Sequence, residues 1–98
     1  MRLGVFVSYF KFNTDTYDRL RAEKLGVIFV QNGVYHATVK ENGKTSPLLE
    51  KSADFYALKE DLETNGFKSS DVDSRVKVVT FNDLVDVMFN DYEKLVWL

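Results

Sequence analysis

The stretch FYALKEDLETNG, residues 55–66, joins a strand pattern directly to a helix pattern. Its first part, Phe55–Leu58, is apolar and aromatic, which is typical of a short buried strand. Charged residues follow, and the spacing of Leu58 and Leu62 places both side chains on one helical face. Asn65-Gly66 then ends the helix, because glycine readily adopts the positive φ found after a helix C-terminus. A strand that passes directly into a helix is a unit of parallel α/β sheets.

The same alternation extends along the chain in both directions. Apolar or β-branched runs bounded by polar residues or glycine predict further strands. These are Leu3–Val7, Val27–Val30, Val76–Val79 and Leu95–Leu98. N-cap candidates at residues 13–16 predict a helix that runs to residue 24. Strands that alternate with helices indicate right-handed crossovers and a parallel sheet covered on both faces. The fold class is therefore α/β, and residues 1–98 are expected to form a single domain.

A longer helix is predicted to follow the strand that ends at Val79. Thr80 is its N-cap, and Asp83 follows three residues later in a capping-box arrangement. Apolar residues then recur at spacings of three and four, the pattern of one helical face. They are Phe81, Leu84, Val85, Met88, Phe89 and Tyr92. This apolar stripe is expected to pack into the core.

Residues 33–45 fit two different structures. Val34–Lys40 is rich in strand formers, and Asn42-Gly43 is typical of a hairpin turn. However, Leu48-Leu49 do not continue a clean alternation, so a short helix followed by a surface loop at Glu41–Ser46 is the rival. The local pattern leaves the choice between hairpin and helix open.

The bulk composition excludes several classes of function. Lys and Arg number 13 against 15 Asp and Glu, so the net charge of −2 gives no reason to bind nucleic acid or an anionic membrane. The sequence has no cysteine, which excludes disulfides, thiolate nucleophiles and zinc sites built on sulfur. The apolar N-terminus is too short for a signal peptide or a membrane span. We expect a cytoplasmic protein.

Catalytic patterns are weak throughout the chain. His36 is the only histidine, and no spacing supplies the nucleophile and orienting partner that a catalytic base requires. We therefore expect it to be a half-exposed helix or loop residue. Gly4, Gly26 and Gly33 do not form a phosphate-binding motif.

A carboxylate cluster at Glu60, Asp61 and Glu63 suggests a metal site at first sight. On one short helix, however, Asp61 points away from the other two, so a solvated helix start is the better interpretation. We expect no catalytic residues, no metal and no cofactor.

Aromatic residues near strand ends and chain ends give a better indication of function. Tyr9, Phe10 and Phe12 follow the first strand, and the carboxyl ends of strands carry the binding sites of open α/β sheets. Trp97-Leu98 combine a tryptophan with a large aliphatic residue, and tryptophan is enriched at interfaces. We predict that these five residues form an interface, although packing on the sheet is the alternative.

Several segments together resemble one family, the DsrH/TusB family, whose members are the smallest of the DsrE/DsrF/DsrH group. The segments agree in order and spacing from about residue 25 onward, and the first 24 residues match poorly. They are Gln31–Tyr35, Tyr56–Leu62 with Gly66, Val78–Phe81 leading into Leu84–Asp86, and Val96–Leu98. The Tyr-Ala-Leu-x-Glu-Asp-Leu block and the final Trp-Leu are the more specific features.

The resemblance implies a three-layer α/β/α fold with a mainly parallel sheet of about five strands, and it favours the helix over the hairpin at residues 33–45. It also implies a subunit that works with DsrE/DsrF- or TusC/TusD-like partners, or with itself. Such complexes relay sulfur toward 2-thiouridine in tRNA or take part in intracellular sulfur oxidation.

Some DsrH members carry a cysteine near the first helix, and here Tyr17 is the nearest equivalent. The resemblance therefore implies an accessory subunit that cannot carry sulfur. The alternative is a stand-alone homo-oligomeric module that binds a small molecule at the strand ends, without a relay role.

Overall fold

Parallel strands form one sheet at the centre of the chain, for which the computed structural model describes residues 1–9, 17, 19–38 and 44–98. The strands are β1 (Arg2–Val7), β2 (Lys24–Phe29), β3 (Asp54–Leu58), β4 (Val76–Val79) and β5 (Lys94–Trp97). They lie in the order β4-β3-β2-β1-β5, and every neighbouring pair is parallel. The predicted α/β class with a mainly parallel sheet is confirmed.

The helices of the described part of the chain are mostly short. They are α1 (Tyr35–Thr38), α2 (Lys59–Thr64) and α3 (Phe81–Asp91), with 3-10 helices at Gln31–Val34, Pro47–Glu50 and Ser69–Asp71. As the opening stretch predicts, α2 follows β3 without a linker, and Gly66 beyond it has a φ of 82°. None of the helices in the described ranges is long and apolar enough to cross a membrane.

The larger core lies on one face of the sheet. Val5, Val27 and Phe55 are side by side in register on this face, and the ring of Phe29 stacks on that of Phe55 with centroids 6.1 Å apart. The chain between successive strands covers these side chains. Its contributions include Tyr17, Val34, Ala37, Leu48, Leu49 and Leu62. The strands β1 to β4 follow one another in a single direction across the sheet. Right-handed crossovers between them therefore all pass over the same face.

The opposite face of the sheet has a smaller core. After β4 the chain crosses back over the sheet and adds β5 on the free side of β1. A right-handed crossover to that position brings α3 onto this face. Leu84 and Met88 of α3 pack there against Ile28 and Val79. In the described residues, α3 is the only helix that contributes to this core.

Tyr92, which follows α3, lies above two glycines on the same face of the sheet as the smaller core. Gly4 and Gly26 are neighbours in register, and a Cβ atom added at Gly26 would overlap the hydroxyl and ring of Tyr92. The Tyr92 side chain is buried, and burial raises the pKa of its hydroxyl above the usual value for tyrosine. Gly26 is therefore required because a ring occupies the space of a side chain.

The structure decides two predictions about helices: where the first helix ends, and whether residues 33–45 form a helix or a hairpin. At the first helix, Tyr17 and Arg19 are helical but β2 begins at Lys24, so the prediction that the helix reaches residue 24 is wrong. Its N-cap candidates lie outside the described residues. In the ambiguous segment, α1 confirms the helix over the hairpin up to Thr38, and Asn42-Gly43 lies outside the described residues.

The expectation that Leu58 and Leu62 share a face is also wrong. Leu58 is the last residue of β3, so the alternation of the strand turns its side chain toward the smaller core. Leu62 belongs to α2 and is buried in the larger core.

Gly26→Ala should lower the free energy of unfolding by about 2 kcal/mol or more, because Tyr92 cannot remain in place. Gly4→Ala is the matched control on the paired residue. Its new methyl group first meets the tip of Leu95 at 2.8 Å, and that side chain is half exposed and can move. Urea unfolding of both variants measures the difference. Equal losses at the two positions would contradict the role assigned to Tyr92.

Candidate functional site

The carboxyl ends of β1 and β5 lie side by side and carry Tyr9 and Trp97, two of the predicted interface residues. Tyr9 is 62% exposed and Trp97 is 59% exposed. Trp97 stacks on Phe6 with centroids 5.0 Å apart, and its Nε1–H donates to Ser8 Oγ at 3.2 Å. The Ser8 hydroxyl in turn donates to the Leu98 carbonyl at 3.3 Å. The Trp97 ring is therefore held in one orientation although most of it faces outward.

The other predicted interface residues are placed differently. The Leu98 side chain is half buried against the larger core, so it offers less surface than Trp97. Phe10 and Phe12 lie outside the described residues. The interface formed by Tyr9, Phe10, Phe12, Trp97 and Leu98 stays a prediction.

An apolar groove lies next to Trp97, between α3 and the strands β1 and β5. It has a volume of about 340 Å³ and is open along one side. Every residue that lines it is apolar: Phe6, Phe81, Leu84, Val85, Met88, Phe89, Leu95 and Trp97. The groove exists because α3 covers only part of its face of the sheet and leaves the β1–β5 side open.

The expectation that the whole apolar stripe of α3 packs into the core is wrong for Phe81 and Phe89. Phe81 is 59% exposed and Phe89 is 83% exposed, whereas Leu84 and Tyr92 of the same stripe are buried. The stripe spans a wider arc than the sheet contact, because residues 85 and 89 turn progressively away from Leu84 on a helix of 3.6 residues per turn. Part of the stripe is therefore surface.

Two polar contacts fix the start of α3 and so the position of Phe81. Thr80 Oγ1 accepts from the backbone N–H of Asp83 at 3.3 Å, which confirms the predicted N-cap. The Glu60 carboxylate on α2 accepts from the Phe81 N–H, with both oxygens at 3.2 Å. A negative charge at a helix N-terminus is favourable, so Glu60 stabilises the wall of the groove.

The remaining carboxylates of that sequence cluster also show no metal-binding arrangement. Asp61 Oδ2 accepts from the Gln31 N–H at 2.7 Å, at the one described non-glycine residue with positive φ. Glu63 is exposed on α2. Within the described residues, no group of three or more His, Asp or Glu side chains is placed to hold a metal ion.

His36 is buried, so the expectation that it is half exposed is wrong. It is 6% exposed, and its ring lies 5.7 Å from that of Phe29. Nε2 lies 3.0 Å from the Tyr9 carbonyl oxygen, which can only accept, so Nε2 carries the proton. In the neutral ring, Nδ1 then accepts from the Ser46 hydroxyl at 2.8 Å. Sequence reasoning missed this burial because both partners are distant in the chain.

The Ser46–His36 pair has the spacing of a nucleophile and its base, but its surroundings give it a structural role. Ser46 is 8% exposed, and its oxygen also accepts from the Leu48 N–H at 3.3 Å as the N-cap of a 3-10 helix. The other ring nitrogen of His36 bonds a backbone carbonyl, whereas a catalytic histidine is usually oriented by a carboxylate. The Ser46–His36 bond therefore ties α1 to the 3-10 helix at Pro47–Glu50, and the bond from His36 to Tyr9 ties α1 to the chain beyond β1.

Tyr17, the nearest equivalent of the cysteine that some members of the resembled family carry, is buried. Its side chain is 1% exposed, and its hydroxyl donates to the Leu48 carbonyl at 2.7 Å. This position is part of the larger core and faces no open surface.

Comparison with known proteins gives consistent similarities. Residues 8–94 match the family model described as "DsrH like protein". Protein TusB of Photorhabdus laumondii is 32% identical over 79 residues, which cover 81% of this chain and 81% of that protein. The matched range includes Tyr9 and the whole groove wall on α3, and it ends at Lys94, the first residue of β5.

Two solved structures have the same fold. A protein of unknown function from Methanobacterium thermoautotrophicum, MTH1491, has a TM-score of 0.68 at 17% identity and covers 97% of each chain. The solution structure of Tm0979 from Thermotoga maritima has a TM-score of 0.63 at 22% identity, covering 89% of this chain and 91% of that one. These likenesses show the fold.

Trp97→Ala should weaken association of the chain, with itself or with a relative, by at least about tenfold, because a fixed, exposed tryptophan is a strong interface anchor. The fold should remain, since the lost stacking contact is worth about 1 kcal/mol. Sedimentation and far-UV circular dichroism measure the two effects separately. Trp97→Phe keeps an aromatic ring without the indole N–H that bonds Ser8, and it is the matched control. A variant that unfolds instead would assign Trp97 to the core.

Proposed function

The chain belongs to the DsrH-like family, and we propose that it acts as a non-catalytic subunit of a DsrEFH- or TusBCD-like sulfur-relay complex in the cytoplasm. The observation that carries the proposal is a family match over residues 8–94 in a sequence that has no cysteine. In this role the chain supports a relay whose reactive thiol lies on another subunit. The end product is 2-thiouridine in tRNA or an intermediate of intracellular sulfur oxidation.

The chemistry of the chain supports an accessory role. Persulfide transfer requires a thiolate, which attacks the donor sulfur and then carries it. This sequence contains no thiol, and Tyr17, the nearest equivalent of the relatives' cysteine, is buried in the core. Its contribution to sulfur transfer is therefore to bind and place the subunits that do carry sulfur.

The surface of the chain supports a partner of the DsrE/DsrF or TusC/TusD type. Tyr9 and Trp97 expose most of their rings at the carboxyl ends of adjacent strands, where α/β proteins bind ligands and partners. A small molecule at the same place would need free polar groups, yet Ser8 is engaged by both Trp97 and Leu98. This arrangement favours the subunit role over the stand-alone module.

The chain incubated with a persulfide donor should gain no sulfur on its intact mass, because no thiolate is present to accept it. Tyr9→Cys is the positive control, since this residue is 62% exposed and its thiol would be accessible. Mass spectrometry of the intact proteins measures the added sulfur on the wild-type chain and on the Tyr9→Cys variant. A stable gain of one sulfur atom on the unmodified chain would contradict the accessory role.

The complex itself is tested by co-expression with TusC-type and TusD-type subunits from the same genome. We expect a stable assembly on size exclusion, and we expect sulfur transfer from the cysteine-bearing subunit to fall when this chain is omitted. A relay that proceeds equally well without the chain would contradict the proposal, and a lone homo-oligomer would favour the stand-alone module.

A further inference from the structure

Exposed apolar side chains are concentrated on one face of the molecule. Six large apolar side chains are exposed in the described part of the chain: Met1, Tyr9, Phe81, Phe89, Leu95 and Trp97. The last four of these line the groove between α3 and β5. A concentration of this kind on a small protein marks a binding surface rather than chance exposure.

The groove is preorganised for an apolar occupant. One wall is α3, which is fixed at its start by Thr80 and Glu60. The other wall ends in the Trp97 ring, which is held by Phe6 and Ser8. A rigid surface loses little conformational entropy when it binds, so its apolar area contributes more of its value to affinity.

The charged side chains of α3 all have one sign. This helix carries Asp83, Asp86 and Asp91, and the sequence has no Lys or Arg between Lys77 and Lys94. Asp86 is three residues before Phe89 and so borders the groove on the helix surface. At the end of α3, Glu93 bonds Arg2 at 3.4 Å, so that arginine is already paired.

We propose that this groove binds a different protein subunit, which inserts apolar side chains between α3 and β5 and places Lys or Arg beside Asp86. The proposal rests on the proposed function, since it names the face through which the chain joins its relay partner. Complementary charge would select the partner and speed its association.

Other occupants fit the surface less well. A second copy would bring two acidic α3 helices together in a two-fold contact, and like charges across an interface are unfavourable. A small polar ligand would find no polar side chain among the residues that line the groove. The apolar lining and acidic border together match an apolar ridge edged with basic residues.

The test uses the full chain with TusC-type and TusD-type subunits from the same genome, and it measures affinity by titration at low and high salt. Phe89→Ser should weaken binding by at least about tenfold. Asp86→Lys should weaken binding several-fold at low salt and remove most of its salt dependence. Glu63→Lys makes the same charge change on α2, away from the groove, and should leave affinity unchanged. Circular dichroism confirms that each variant is folded.

The possible results separate the two proposals. A wild-type complex that tolerates both Phe89→Ser and Asp86→Lys would overturn the groove assignment and leave the subunit role intact. A wild-type chain that binds neither subunit would overturn both. A homodimer that Phe89→Ser dissociates would assign the groove to a second copy and overturn the choice of partner. Loss of affinity in both variants, with Glu63→Lys unaffected, supports the proposal.

Discussion

A parallel sheet must be covered on both faces, and in this molecule the coverage is unequal. The crossovers between β1, β2, β3 and β4 all return on one face, where they bury Phe29 and Phe55 in the larger core. After β4 the chain crosses back to place β5 beside β1, and in the described residues α3 is the only helix in the core of the other face. The packing of Tyr92 and the apolar groove both follow from that imbalance. Tyr92 fills the space above Gly26, and the groove remains where α3 does not reach.

The sequence predicts the elements of this fold better than it predicts their surroundings. Strand and helix positions around residues 55–66 and 76–91 follow from local periodicity and capping, which depend on neighbours in the chain. The alternation of these elements then predicts a parallel sheet, because crossover handedness leaves few arrangements. At Leu58, however, the helix spacing to Leu62 competes with the strand alternation, and the strand decides the direction of the side chain.

Burial was harder to predict because it depends on residues that are remote in sequence. An apolar stripe has the same period whether it packs on its own sheet or on another protein, so the exposure of Phe81 and Phe89 could not be read from spacing. His36 shows the reverse case, since its burial depends on Ser46 and on the Tyr9 carbonyl. Of the predicted interface, Trp97 and Tyr9 are well exposed, whereas the Leu98 side chain is half buried.

Family membership and surface chemistry lead to the same account of the chain. In the proposed role, a DsrH-like chain without cysteine supplies no thiolate to the relay, and we propose that it contributes through the surfaces it presents. The fixed Trp97 ring and the acidic, apolar groove beside it supply such a surface. Hydrogen–deuterium exchange on the chain alone and in the presence of the proposed partner, a DsrE- or TusD-type subunit, measures which face is covered. If the groove is the binding face, backbone amides of α3 and β5 will exchange more slowly in the complex, with little change in α1 and α2. Protection confined to α1 and α2, with α3 and β5 unchanged, would contradict that assignment.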